Sequence, residues 1–117
     1  MAVMTINPVN PGHVLVIPKL HYAYLADVPE HFRAHIFTMG QRVAAAIRRS
    51  GVRCEGVNMF LTDGEAAFQE VFHFHLHVFP RSREDEFRID ANWSSYPPRH
   101  ELDTIAQTIA ASYRQDQ

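Results

Sequence analysis

Cysteine is almost missing from this chain. Cys54 is the sole example, which excludes an internal disulfide and any cysteine-rich zinc site. A large excess of one sign of charge is missing as well. Eleven Lys and Arg against 13 Asp and Glu leave a formal net charge of -2, so no broad basic field awaits a nucleic-acid backbone. No apolar run approaches the length of a membrane span, and the start lacks a basic stretch followed by an apolar core. Neither membrane nor nucleic-acid polymer is expected as a partner, and a cytoplasmic location is. Repeats and low-complexity tracts are also lacking. With 46% hydrophobic and 21% charged residues in 117, the composition is that of a globular protein, and 1–117 reads as a single domain. Against these shortages stands one surplus. Eight histidines occur, and His73, His75 and His77 fall within five residues.

Ala2 to Ile6 is a short apolar run that reads as a strand, ended by the turn signals Asn7-Pro8 and Asn10-Pro11-Gly12. His13 to Ile17 is β-branched and apolar, a second strand covered on both faces. A long helix follows, with Asp27 as its cap, Pro29 in the first turn and Glu30 completing a capping-box pattern. Phe32, Ile36, Met39, Val43 and Ile47 form one apolar stripe on it, and Gly51 suits its end. Gly56 to Leu61 reads as a third strand and Val71 to Phe79 as a fourth. Residues 81–98 read as a surface loop. A last helix over 101–114 carries Leu102, Ile105, Ala106, Ile109 and Tyr113 on its inner face. Strands that do not alternate one-for-one with helices predict an α+β fold with a mostly antiparallel sheet, one long central helix and a C-terminal helix.

Side chains of a strand alternate between faces, so His73, His75 and His77 project together at roughly 6–7 Å spacing. Phe72, Phe74, Leu76 and Val78 face the core. Three readings fit such a row. The first is a solvated strand face that tolerates polar residues; strict alternation of one residue type argues against it. The second is a metal site, which a remote carboxylate or His13 would have to complete. The third is phosphate chemistry, in which one neutral imidazole attacks while its neighbours donate to phosphate oxygens. Periodicity does not choose between metal and phosphate.

The surrounding residues do. His73-Phe74-His75-Leu76-His77-Val78-Phe79-Pro80-Arg81 resembles the signature of the histidine triad (HIT) family. Gly64 to Gln69 is similar to the family's loop ending in Gly-Gln, and Asn7 to Lys19 to its Pro-x-x-Pro-Gly-His segment. The resemblance covers nearly the whole chain and is closest to bacterial nucleotide-hydrolase-like members, near the dinucleoside polyphosphate hydrolases. It implies a HIT-like fold and hydrolysis or transfer at the α-phosphate of a dinucleoside polyphosphate or nucleoside phosphoramidate. The route would be a covalent nucleotidyl-histidine, with no cofactor required, although a divalent metal could arrive with the substrate. Carried over, His75 is the nucleophile and His77 donates to a non-bridging oxygen. His73 orients the row and contacts phosphate, and His13 supports that first member of the row. Gln69 lies beside the phosphate and Ile6 lines the nucleoside pocket. A nucleotide-binding module without turnover and a His-ligated metalloenzyme are the competing functions.

Four features depart from the family pattern. Phe68 replaces a Gly, whose backbone freedom a phenylalanine lacks. Glu70 stands where Ser or Thr is common. Its carboxylate is protonated, turned away or a proton donor to the leaving group, and strand parity points it to the core. The same parity puts Gln69 on the side of the row. Thr62 replaces an Asn or Gln, and Thr5 a ribose-binding Asp; either hydroxyl can still bind a substrate hydroxyl. A helix-and-hairpin segment usually precedes the first strand, and its lack would leave a sheet edge that a homodimer could cover. His21, His31, His35 and His100 read as surface or helix-packing residues, and Cys54 as a quiet thiol. Arg81 and Arg83 either steer an anionic substrate or sit in a solvated loop. Trp93 and Tyr96 cover a pocket or a dimer seam.

Overall fold

Apolar alternation and an apolar helical stripe assemble here as a sheet with a helix laid across one face. The computed structural model describes residues 1–115. Its strands are β1 (Ala2–Met4), β2 (Val14–Val16), β3 (Gly56–Leu61) and β4 (Leu76–Arg81), and its helices are α1 (Glu30–Arg49) and α2 (Arg99–Gln115). The sheet runs β1-β2-β4-β3 with every pairing antiparallel, in keeping with the α+β class expected from the sequence. Two compact units divide the chain after Phe87; the first holds the sheet and α1, the second α2. Among the described residues no helix is long and apolar enough to cross a membrane.

The α1 stripe behaves as its spacing predicts. Ile36 and Ile47 are buried, and Phe32, Met39 and Val43 pack against the core formed with Val16, Leu76 and Val78. Arg48 and Arg49 close the last turn and Gly51 follows with φ +85°, a conformation suited to glycine. The start differs from expectation. Pro29 is the cap, and Asp27 instead accepts the Tyr24 N–H at 3.2 Å, closing the single turn Leu25–Asp27.

β4 begins at Leu76, five residues later than the apolar alternation suggests. The cause lies in its neighbours: β2 ends at Val16 and β3 at Leu61, both paired to Leu76. Residues 71–75 have no strand to pair with, so Val71 and Phe72 are exposed while Phe74 still reaches the core. At its other end β4 continues through Arg81, which therefore belongs to the sheet and not to a loop.

Both faces of β4 are covered. Leu76 and Val78 face α1, whereas Phe79 points to the opposite side and makes an aromatic group with Phe60 and Phe87. In the second unit, α2 forms as expected, but Leu102, Ile105, Ile109 and Tyr113 are exposed. A lone helix has no layer within its own unit against which to bury an apolar stripe. Trp93 and Tyr96 are exposed too.

Candidate active site

Five histidines group around the start of β4. His77 sits on the central strand, opposite Leu15 of β2 and Phe60 of β3. The His13 ring lies 4.9 Å from Phe79 and only 3% of the residue is exposed. Its Nε2 is 2.9 Å from His77 Nδ1. His13 thus supports the last member of the row, not His73 as the resemblance implies. Register explains the difference: with Leu15 opposite His77, His13, two places earlier and just ahead of β2, lies by the far end of the row.

Hydrogen-bond polarity assigns the tautomers. The Val9 N–H can only donate, and it lies 3.0 Å from His13 Nδ1, so that nitrogen carries a lone pair. The His13 proton is then on Nε2 and is donated to His77 Nδ1, which leaves the His77 proton on Nε2. Burial, together with the neighbouring His75 and His13, pushes the His77 pKa down to about 4, and burial lowers that of His13. His77 therefore presents a neutral N–H donor, not an imidazolium.

His75 lies just before β4, with its ring centroid 4.8 Å from that of His77. A carbonyl can only accept, so the 2.7 Å contact between His75 Nδ1 and the His73 carbonyl puts the proton on Nδ1. In the neutral ring Nε2 keeps its lone pair. The two rings present complementary edges: a nucleophilic nitrogen on His75 and a donor on His77.

His73 is drawn elsewhere. Its Nε2 donates to the Pro18 carbonyl at 3.0 Å and its Nδ1 faces His21 Nδ1 at 3.4 Å. The row is thus a pair plus an outlier, because residues 73–75 are not pleated. The main-chain carbonyl of His73 fixes the His75 ring, and His21 has a partner within the group that spacing did not reveal.

Gln69 is 4% exposed and its amide is committed. Oε1 accepts the Gly64 N–H at 2.7 Å, while Nε2 donates to the carbonyls of Ala23 and Val71. It ties the 62–71 loop to the segment before α1. No strand extends to this residue, so strand parity does not apply to it or to Glu70, which is exposed rather than turned to the core. Phe68 takes the glycine conformation after all, with φ 69°, at a cost of order 1–3 kcal/mol, and leaves its ring 84% exposed. Thr5 Oγ1 accepts the Asn7 N–H, Ile6 is fully exposed, and Thr62 is half-buried beyond β3.

A second polar group centres on Asp85, a residue outside the motifs. Asp85 is buried, forms a two-point ion pair with Arg81, and also accepts from Asn10. Arg81 is thereby engaged inside the fold. Among the described residues, no three His, Cys, Asp or Glu side chains are grouped as metal ligands. The residues present form a chain of donors and acceptors among imidazoles, each turned toward a protein partner.

Residues 1–84 match the HIT domain family, and the chain belongs to it. It is 39% identical to an uncharacterized HIT-like protein of Mycobacterium tuberculosis over 76% of this chain and 61% of that one. The chain therefore spans less than two thirds of the length of that relative. An adenosine 5'-monophosphoramidase of Schizosaccharomyces pombe is 30% identical over 97% of this chain and 82% of its own. An adenylylsulfatase of Arabidopsis thaliana is 33% identical over 73% and 43% respectively. Relatives in the family thus include named hydrolases. Among solved structures, a HIT family protein from Bacillus anthracis superposes with a TM-score of 0.80 at 38% identity, covering 95% of this chain and 79% of its own. A Zn-bound histidine triad family protein from Mycobacterium smegmatis gives 0.70 at 38% identity, covering 99% and 81%.

Proposed function

We propose that this chain is a nucleotide hydrolase or transferase acting at the α-phosphate of a dinucleoside polyphosphate or nucleoside phosphoramidate. The observation that carries the reading is the opposed polarity of two adjacent rings. His75 Nδ1 is fastened to the His73 carbonyl, leaving Nε2 to attack, and His77 Nε2 bears the hydrogen that meets a phosphate oxygen. The His75 lone pair forms the N–P bond as the bond to the leaving group breaks, and the leaving group departs with that electron pair and takes up a proton. Water, or an acceptor alcohol or amine, then attacks phosphorus and gives up a proton to solvent, which balances the one taken up by the leaving group; the N–P bond breaks, and His75 recovers its lone pair. Division into two displacements replaces one difficult step by two easier ones. A donor fixed before the reaction stabilises the charge that gathers on the phosphoryl oxygens. Neither step calls on a cofactor.

Gln69 supports the site by holding its loop. Thr5, Thr62 and Ile6 are assigned to nucleoside contacts by their places in the family pattern. A homodimer is the proposed working form, since β1 is an edge strand and Met4 on it is exposed. Sedimentation should give twice the chain mass.

His75→Ala should remove turnover of diadenosine polyphosphates and adenosine phosphoramidate by orders of magnitude with an unchanged fold. Labelled nucleotide should be trapped as an acid-labile adduct on His75 alone. Full activity in the variant refutes the assignment. Tight binding of AMP with no turnover of either substrate by the wild type identifies a binding module instead. Loss of activity with a chelator, alongside stoichiometric zinc, identifies a metalloenzyme.

A further inference from the structure

A neutral imidazole has a single N–H, so a group that holds one ring nitrogen decides what the other presents. At the far end of the histidine chain that group is a backbone amide, the N–H of Val9. Val9 sits in the connection between β1 and β2, which has no strand to brace it. The neighbouring Asn10 does that work. Its Nδ2 donates to the Pro80 carbonyl at 2.9 Å and to Asp85 Oδ2 at 3.0 Å, and its carbonyl accepts the His13 N–H at 3.2 Å. Asp85 is in turn immobilised. Arg81 Nε and Nη2 meet its two oxygens at 2.8 and 3.1 Å, and the Ser82 N–H adds a further contact at 3.0 Å. Arg81 is itself anchored by Asn58 Oδ1 and the Phe87 carbonyl.

We propose that Asp85 and Asn10 are positioning residues that set the tautomer of His77 from outside the histidine group. They do so by holding the 7–12 loop with the Val9 N–H aimed at His13 Nδ1. The consequence for catalysis rests on the function proposed above; the tautomer itself does not. Release of the loop withdraws the Val9 donor, and His13 is then free to carry its proton on Nδ1. Its Nε2 becomes an acceptor, His77 must donate from Nδ1, and His77 Nε2 is left with a lone pair facing an anionic oxygen. A donor has become a repulsive acceptor, with no change in the number of protons and no movement of His75.

Side-chain ¹⁵N spectra of the full chain test this without substrate. Wild type should show both His13 and His77 as the Nε2–H tautomer at neutral pH. Asn10→Ala and, separately, Asp85→Asn should turn His77 into a mixture, while Arg53→Ala, an exposed residue outside the group, leaves it unchanged. In phosphoramidate hydrolysis the same two variants should lose kcat by on the order of tenfold to a hundredfold with a smaller change in KM. A wild-type His77 protonated on Nδ1 overturns the proposal. So do folded variants, by circular dichroism, whose His77 signals match the wild type. A wild type with no turnover sinks the hydrolase reading alone, since the spectra still decide the tautomer.

Discussion

Protonating His77 would put a charge into a half-buried group already flanked by His75 and His13, which is why its pKa falls to about 4 from 6.5. The effect on stability follows by linkage. Between those two values the unfolded chain binds a proton that the folded chain does not, so lowering the pH through this window favours unfolding. His13 acts in the same direction. The urea midpoint should therefore fall as pH drops from about 6.5 to about 4, and His77→Asn should flatten that dependence. Gln69 makes a different residue-scale prediction. Truncation to Ala leaves the Gly64 N–H and the Ala23 carbonyl without their partner, a cost of about 1–3 kcal/mol readable by urea titration. Spacing singled out His73, His75 and His77 as a row, because imidazoles two residues apart are legible in one dimension. Asp85 was not, since a single aspartate in a charged segment becomes meaningful only beside Arg81 and Asn10.

At the scale of elements, α1 and β4 approach closely at Gly40, where a side chain fits only if a neighbour gives way. A Cβ built on Gly40 would lie 2.9 Å from Leu76 Cδ2, at the end of a flexible side chain. Gly40→Ala should be close to neutral, because a helix-propensity gain of about 1 kcal/mol offsets the displacement of that methyl group. Gly40→Leu cannot be absorbed in this way and should cost about 1–3 kcal/mol in chemical unfolding. It should also lower turnover, since Leu76 lies between His75 and His77 in the chain. Helix α1 was legible throughout its length because its stripe repeats for 20 residues. The start of β4 was not legible. Phe72 and Phe74 continue the alternation locally, but a strand lasts only as long as its neighbours supply hydrogen bonds, and both stop at Leu76.

At the scale of the whole molecule, the hydrogen bonds named above for the histidine group join residues of the first unit, 1–87, and the family match ends at 84. A chain stopped after Asp90 should therefore unfold cooperatively and keep the His77 tautomer of the full chain, as seen by calorimetry and ¹⁵N spectra. Loss of either would refute this expectation. The amphipathic pattern of α2 correctly announced a helix, but it named a buried face that its own unit does not cover. Periodicity reports that a side of a helix is apolar, and it says nothing about what lies against it.

Sequence alone determined the order of the elements, the mostly antiparallel α+β class, the family and the alternation that sets His75 two residues from His77. Each of these rests on patterns closed within a few residues. Tertiary structure decided which ring His13 supports, where each proton sits and what holds the Val9 amide in place. Those depend on strand register and loop closure between groups 64 and 75 residues apart, where the polarity of one hydrogen bond dictates the next.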